Sequence, residues 1–500
     1  MSTLILARFV IETTSPLAIN TGGREFLASE EVAKDWNGLP YIPATSIVGV
    51  WRKILRSLNS EDLLNEVELF GTSSNNNIKE HPNGKASSIY VSNGILLNSN
   101  SKVIMSSTNN CGMLLSSKEI EDDDLYKIFT ALNPFTRTRN KINNKGVAED
   151  KKLFECSFVP VGARFMFDVH IRIDENQSVD IEQIKSALSY FYAEDFSLGK
   201  YKTNGNGHFK VYASDYQEIN LSDINKKPWE LIDRATSYKN IPTKDNPRSV
   251  KNNLPQRNLY STVAEFSLKA RDTWKIGKGR SSNFGPTIKA ADNFIYKEKF
   301  LKWNADNFKG LDQKVIVCGS MIKGILSHRV SYYYRYICLL KNNELKDDPN
   351  YCADKFNGEL PNEINNAKLN KSIVGDLFGY TDESDPDNSK CGLIILEDCE
   401  IKNPKFIQRF HNKIDRFTGG VRTGSLFCEE LLVKPEFSFK VKIDNERYKC
   451  LMPEFKEALH YALLDIQHGF LSIASGTSRN AHSLECVNNN PVVEEFFNEK

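Results

Sequence analysis

The sequence predicts an α+β protein built from two tandem copies of one domain. Three observations lead there: internal echoes at a common offset, the same order of elements in each half, and a composition suited to globular cores. The chain has 500 residues, more than one ordinary core accommodates. YIPATSIVGVWRKIL (41–55) is echoed by IVCGSMIKGILSHRV (316–330), with Gly49 opposite Gly324 at 324 − 49 = 275. GVAEDKKLFE (146–155) is echoed by GVRTGSLFCE (420–429), with Leu153 opposite Leu426 at 426 − 153 = 273. TNGNGHFK (203–210) is echoed by TSRNAHSL (477–484), with Thr203 opposite Thr477 at 477 − 203 = 274. The common register carries the argument, and so long a period means domain duplication and not a solenoid. A fourth pair, LFG at 69–71 and 377–379, lies at 377 − 69 = 308 and requires an extra insertion there in the second copy, offset by a longer one in the first.

The expected division is a first domain over 1–215, an Asn-, Lys- and Pro-rich linker over 216–258, and a second domain over 259–500. LILARFVIETTSPLAI (4–19) alternates as a strand. A helix follows, with Ile47, Val50, Ile54 and Leu58 on one face; its counterpart places Ile322, Ile325, Leu326 and Val330 together. SFVPVGARFMFDVHIRI (157–173) reads as a strand pair. IEQIKSALSYFYAEDF (181–196) is an amphipathic helix with Ile184, Leu188 and Phe191 inward, matched by LHYALLDIQHGFLSIA (459–474). Strand, helix, strands, helix, strand is the order of a ferredoxin-like or RNA-recognition-type sheet. The polar stretches 72–87, 98–111 and 341–371 read as long surface loops or insertions.

Composition bounds the function. Lys+Arg number 65 against Asp+Glu 64, so the net charge of +1 lends no support to nucleic-acid binding, which then requires charge segregated into a basic groove. The 10 cysteines are singles with no C-x-x-C pair, which reads as reduced thiols in a cytoplasmic protein, with no zinc expected. The N-terminus has no basic region or cleavage site and reads as a first strand; no apolar run approaches the ~20 residues of a membrane span.

Three clusters carry potential chemistry. Small residues open each first helix (Ala44, Thr45, Ser46 and Gly49; Gly319 and Ser320), with Arg52 and Arg56, or Lys323, His328 and Arg329, following. Outward amides at such a helix start suit an RNA phosphate, although an ordinary capped helix has the same look. LGKYKTNGNGHFKV (198–211) offers Gly199, Gly205 and Gly207 for close backbone approach and Lys200, Lys202 and Lys210 for charge; its helix-then-strand context is the reverse of a nucleotide-binding loop. IDRFTGGVRTGSLFCEE (414–430) is a basic loop before a strand, with Arg416, Thr418 and Arg422; the first copy offers Arg137, Arg139 and Lys141. A hairpin with a solvated turn is the bland alternative for both.

These segments resemble the RAMP superfamily. The helix starts resemble its small-Ser-x-x-Lys-Gly pattern, 198–211 resembles its glycine-rich loop, and Asp415-Arg416-Phe417-Thr418-Gly419-Gly420 resembles a segment of CRISPR type III backbone subunits. The resemblance covers roughly 4–211 and 260–487 and implies two ferredoxin-like domains with long loop and thumb insertions. It implies binding of CRISPR RNA and complementary target RNA, other subunits of a type III effector complex as partners, no membrane association, and a thumb hairpin that kinks the duplex. It also implies cleavage of target RNA by a loop Asp with a divalent metal, Mg2+ being expected. In the second copy that acid is Asp292, which would also hold the metal; in the first, Glu30, Glu31 and Asp35 lie nearby without a clear match. The second copy has lost two loop glycines, with Arg479 and Ala481 in their places, and Arg479 can serve instead as a phosphate ligand. Two alternatives remain: a non-catalytic RNA-binding scaffold, and a guide-processing endoribonuclease relying on His208, His482 or His328.

Overall fold

The computed structural model describes residues 2–20, 31–57, 69–71, 84–103, 117–131, 135–142, 148–174, 180–221, 241–242, 244, 250, 259–277, 292–341, 374–380, 388–474 and 483–498. In the first copy β1 (Thr3–Thr13) lies at the centre of an antiparallel sheet, between β6 (Arg164–Ile173) and β7 (Phe209–Asn220). The short strands β2 (Ile89–Val91) and β3 (Ile95–Leu96) pair with the far side of β6. Helices α1 (Ala44–Ser57) and α2 (Ile181–Ser189) supply the crossovers. The strand order is second-third-first-fourth, the ferredoxin-like arrangement the element order predicts.

The second copy repeats it. β8 (Tyr260–Ala270) lies between β18 (Glu436–Asp444) and β19 (Leu484–Cys486), and β14 (Ile394–Leu396) pairs with β18. Its helices are α3 (Gly319–Lys341) and α4 (Pro453–Gln467). Each copy adds a thumb hairpin: β4 (Thr136–Ile142) with β5 (Ala148–Ser157), and β16 (Phe406–His411) with β17 (Phe427–Val433). β17 also pairs with the two-residue β9 (Thr273–Trp274). A further hairpin, β10 (Lys297–Asn304) with β11 (Asn307–Val317), extends to β15 (Cys399–Ile401), and the two-residue β12 (Gly379–Tyr380) and β13 (Lys390–Cys391) pair with each other.

Alternate residues of β1 and β6, including Phe9 and Phe167, face the helices in one core. Phe9 stacks 5.4 Å from Phe167 and lies 4.9 Å from Phe191, which in turn lies 5.3 Å from Trp51. Trp51 donates its indole N–H to the Ala187 carbonyl (2.8 Å), tying α1 to α2. In the second copy Trp274 donates likewise to the Ile473 carbonyl (2.8 Å).

Several expectations shift. The inward face of α1 is Ile47, Trp51, Ile54 and Leu55; Val50 is only half-buried, and Leu58 lies outside the described residues. Ile322, Leu326 and Val330 are buried as expected. Helix α2 tightens into a 3-10 turn at Tyr190–Tyr192, which still turns Phe191 inward. β7 runs to Asn220, past the expected start of the linker, and residues 222–240 and 251–258 of that linker lie outside the described residues. Most of 72–87, 98–111 and 341–371 does as well. The alternation in β1 does not mark a wet face, because Val10 on its other side packs with Leu97, Met166 and Ala213.

The two copies are closely joined. The β10–β11 hairpin of the second lies on the first: Leu301 enters the first copy's core and its amide donates to Val161 O (2.9 Å). Trp303 donates its indole N–H to Gly162 O (2.7 Å), and the Arg164 guanidinium sits between the Trp303 and Tyr212 rings at 4.1 and 3.8 Å. At the thumb base Arg137 is clasped by Glu298 through Nε and Nη2 and by Asp398 through Nη2 (2.6 Å). Burial alone would lower the pKa of Arg137, but Asp398 and Glu298 outweigh it and raise it. Arg137→Ala strands two buried carboxylates and is expected to cost about 3–5 kcal/mol. The measurement is denaturant unfolding; a loss under about 1 kcal/mol would show that the junction does not depend on this triad.

Candidate nucleic-acid interface

Each copy turns one row of its first helix to solvent. On α1 the exposed row is Thr45, Gly49 and Lys53; on α3 it is Gly324, His328, Tyr332 and Tyr336. Steps of four residues keep each row on one face. A Cβ built at Gly49 or at Gly324 meets nothing within 4 Å, so packing requires neither glycine. Glycine inside a helix is about 1 kcal/mol worse than alanine, and its recurrence in register leaves both helix backbones open to close approach by a ligand.

The first amide of each helix is not available to such a ligand. Asn93 Oδ1 accepts from Ala44 N (2.9 Å), and Asp398 Oδ1 accepts from Gly319 N (2.8 Å). The two capping residues occupy equivalent places, one after β2 and one after β14. Asp398 supplies the negative charge that a helix N-terminus favours. Gly319 itself is buried, and a Cβ there would stand 2.1 Å from Leu396 O.

The glycines of 198–211 are explained by close packing. Gly199, Gly205 and Gly207 all have positive φ, and a Cβ at Gly205 would stand 2.4 Å from Glu397 Cα in the second copy. The loop nevertheless delivers charge to the junction. The turn holding Lys202 lies against α3, where Lys323 is 8% exposed with its ammonium 3.5 Å from Thr203 O. Burial pushes both lysines down to about 8; among the described residues the other charges bearing on Lys202 are Lys53 and Cys391, and on Lys323 only Cys391, with no carboxylate in either case. Arg139 lies over the Tyr201 ring at 4.2 Å, with a buried Nε that has no hydrogen-bond partner among the described residues. Thumb, loop and both helices thus bring cations together where the copies meet.

Other predicted residues have internal duties. Arg52 bonds Gly71 O (3.3 Å) and lies 5.7 Å from the Phe70 ring. Arg137 is the junction ion already described, and Arg329 pairs with Asp465 and lies over Tyr332 and Tyr333. Ser46 and Ser320 are half-buried, and Lys200 is exposed. His208 is packed between Glu194 O (3.1 Å) and Glu397 (4.0 Å), and burial lowers its pKa. Glu30, Arg479, His482 and the side chain of Lys141 lie outside the described residues.

The second thumb ends in a turn closed by a carboxylate. Asp415 Oδ1 accepts from Phe417 N and Thr418 N (both 2.9 Å) and from Thr418 Oγ1 (3.2 Å), and these bonds hold its pKa below the ordinary value. Gly419 takes φ +65°, and the turn leaves Phe417 100% exposed. Arg416, Thr418 and Arg422 surround it, all exposed.

Asp292 lies at the base of this thumb. Its amide donates to Cys428 O (2.8 Å) and its Oδ2 accepts from Cys428 N (2.8 Å), leaving Oδ1 without a partner among the described residues. Beside Cys428, the buried Glu429 pairs with Lys275 (3.1 Å) and His411 (2.7 Å). Asp35 is differently employed: its Oδ1 closes a turn by accepting from Asn37 N (2.8 Å) and Leu39 N (3.0 Å). Glu31 pairs with Lys34 (2.8 Å). Among the described residues no three His, Cys, Asp or Glu side chains gather as a metal site.

The sequence reading missed Gly324, Lys53 and the caps Asn93 and Asp398. The register of Gly49 with Gly324 was the available signal for the first.

Two tandem ferredoxin-like domains thus meet at a seam lined by cations. The RAMP superfamily profile matches residues 10–210 and 268–479, and the chain belongs to that superfamily. Membership fits a CRISPR-associated RNA-binding subunit and agrees with two fused domains. No curated protein matches the sequence. Among the described residues no helix is long and apolar enough to cross a membrane.

The buried lysines have a stability consequence. With folded pKa values near 8 and unfolded values near 10.4, the unfolded chain binds more protons between those limits, so stability rises with pH across that window. Urea unfolding at pH 7.5, 8.5 and 9.5 is expected to show this rise, and Lys323→Met is expected to flatten it and to stabilise the RNA-free protein at pH 7.5. Parallel profiles for the two proteins would refute it.

Proposed function

We propose that the chain is a CRISPR RNA-binding backbone subunit of a type III RNA-targeting effector complex, with the guide passing over the junction of its two copies. The observation that carries this is the pair of lysines, Lys202 from one copy and Lys323 from the other, buried or half-buried with no carboxylate bearing on either among the described residues. Cations are rarely left so unless an anion completes the site, and a phosphate backbone supplies one. The open glycines Gly49 and Gly324 let that backbone approach both helices.

The same reading makes the second copy a nuclease centred on Asp292. The carboxylate is exposed, oriented by Cys428, and keeps Oδ1 for a ligand, which fits a hard cation held by one carboxylate, water and substrate phosphate. Such a cation, Mg2+ being the expected one, supplies charge neutralisation at the scissile phosphate. Asp292 and the thumb strand fix its place, while Phe417 on the same hairpin distorts the RNA towards in-line attack by its own 2′-hydroxyl. The scaffold reading is favoured for the first copy, where Asp35 is committed to its turn.

The test is to co-express the chain with its neighbouring genes and a CRISPR array, sequence the bound RNA, and offer a complementary target with Mg2+. Bound guide with cleavage lost in Asp292→Ala is expected. Bound guide with unchanged cleavage leaves a scaffold, and absence of RNA defeats the reading. Gly324→Ala adds a test of opposite signs: the helix gains up to about 1 kcal/mol in unfolding experiments while RNA affinity falls, and Gly324→Leu lowers the affinity further.

A further inference from the structure

The exposed row of α3 ends in an aromatic surface with no counterpart among the described residues of the first copy. By the common offset His328 stands opposite Lys53 at 328 − 53 = 275, and Tyr332 opposite Ser57, the last residue of α1, at 332 − 57 = 275. Helix α3 runs on, and Tyr332 and Tyr336 are 44% and 39% exposed on it. Tyr461 of α4 is 40% exposed, and Tyr336 bears on it electrostatically. The Tyr333 ring joins the two helices, 5.3 Å from Tyr332 and 5.4 Å from Tyr461. Tyr333 and Tyr334 pack against the second core, whereas Tyr332, Tyr336 and Tyr461 stand outside it.

This surface is ordered from within. Asp465, buried on α4, accepts from Arg329 Nε and from the Tyr333 hydroxyl (2.8 Å). The Arg329 guanidinium is thereby held 4.9 Å from the centre of the Tyr332 ring and 5.2 Å from that of Tyr333. His328 and Arg335 add basic residues on α3, whereas Glu457, which bears on Tyr461, stands on α4. Exposed rings gathered in one place mark a contact surface, which rings scattered singly do not. Rings interleaved with basic side chains suit single-stranded nucleic acid: the rings accept the faces of bases, and the basic groups hold phosphates.

We propose that Tyr332, Tyr336 and Tyr461 stack the unpaired bases of an RNA strand whose backbone passes over Gly324. A helix rises about 1.5 Å per residue, which sets Tyr332 about 12 Å and Tyr336 about 18 Å along α3 from Gly324 on the same exposed face. The aromatic surface is therefore continuous with the place where the helix backbone lies open. With the basic residues on α3 and Glu457 on α4, the phosphates run along α3 and the bases turn toward α4. At the equivalent positions the first copy offers the charge of Lys53 and the hydroxyl of Ser57. The two copies thus grip one strand by different chemistry, charge in the first and stacking in the second. The inference rests on the proposed function in taking the bound polymer to be RNA.

The experiment measures the affinity of the full chain for a single-stranded oligoadenylate and for an abasic ribose-phosphate oligomer of the same length. The wild type is expected to bind the oligoadenylate more tightly. Tyr332→Ala combined with Tyr336→Ala is expected to weaken oligoadenylate binding about 30-fold, the lower end for two stacked bases, and to leave the abasic oligomer unaffected. Tyr332→Phe combined with Tyr336→Phe is expected to keep the affinity, because it keeps both rings. The slope of log Kd against log salt stays at the wild-type value in the alanine variant, because no phosphate contact is lost. Equal binding of the two oligomers by the wild type overturns the proposal, whatever the variants do, and leaves the RNA reading standing. So does an alanine variant that melts like the wild type yet keeps its oligoadenylate affinity, or loses both oligomers alike. Binding of neither oligomer defeats the stacking and the RNA reading together, so the two failures are distinguishable.

Discussion

Arg137 lies where a thumb strand of the first copy, the clamping hairpin of the second and the capped start of α3 converge. Its guanidinium takes Glu298 on one side and Asp398 on the other, and Asp398 passes the restraint to Gly319 N. Tyr296 donates its hydroxyl to Glu298 and extends the network into the loop that follows Asp292. Buried charges hold a unique arrangement only when each is paired with good geometry, and here pairing is possible only with both copies in register. The positions of the cationic seam, the α3 row and the second thumb all follow from that registration.

Duplication has left matching parts with different duties. Asn93 and Asp398 cap equivalent helices, but only the charged one is drawn into an ion network. The exposed row of α1 continues into Lys53, whereas that of α3 continues into tyrosines. The turn containing Asp35 and the turn containing Asp415 use the same carboxylate-to-amide bonding, and each holds an aromatic side chain away from the protein. One fold thus offers two non-identical surfaces in fixed order.

The ferredoxin-like order was legible because hydrophobic period and echo offset are local properties that survive divergence. Ile322, Leu326 and Val330 follow from spacing alone. Arg137 does not: its partners lie 161 and 261 residues away, and an arginine in a polar strand looks solvated until they are found. The helix caps are hidden for the same reason, lying 49 and 79 residues from the amides they bind. Gly205 and Gly207 read as phosphate-binding glycines because positive φ and close approach leave one sequence signature whether the visitor is RNA or Glu397 and Leu198. β1 misleads about solvent because alternation reports one buried face and says nothing of what covers the other.

The clamp formed by the β10–β11 hairpin has a thermodynamic meaning. Two separate modules would lose translational and rotational freedom each time they met to form a seam of cations, and the burial of Lys202 and Lys323 would oppose the meeting. Fusion, with Leu301 in the neighbouring core and Trp303 on Gly162, makes that encounter intramolecular and completes it during folding. The desolvation of Lys202 and Lys323 is then borne by the folded chain before any ligand is present. Fusion thus stores the cost of dehydrating two cations in the fold itself.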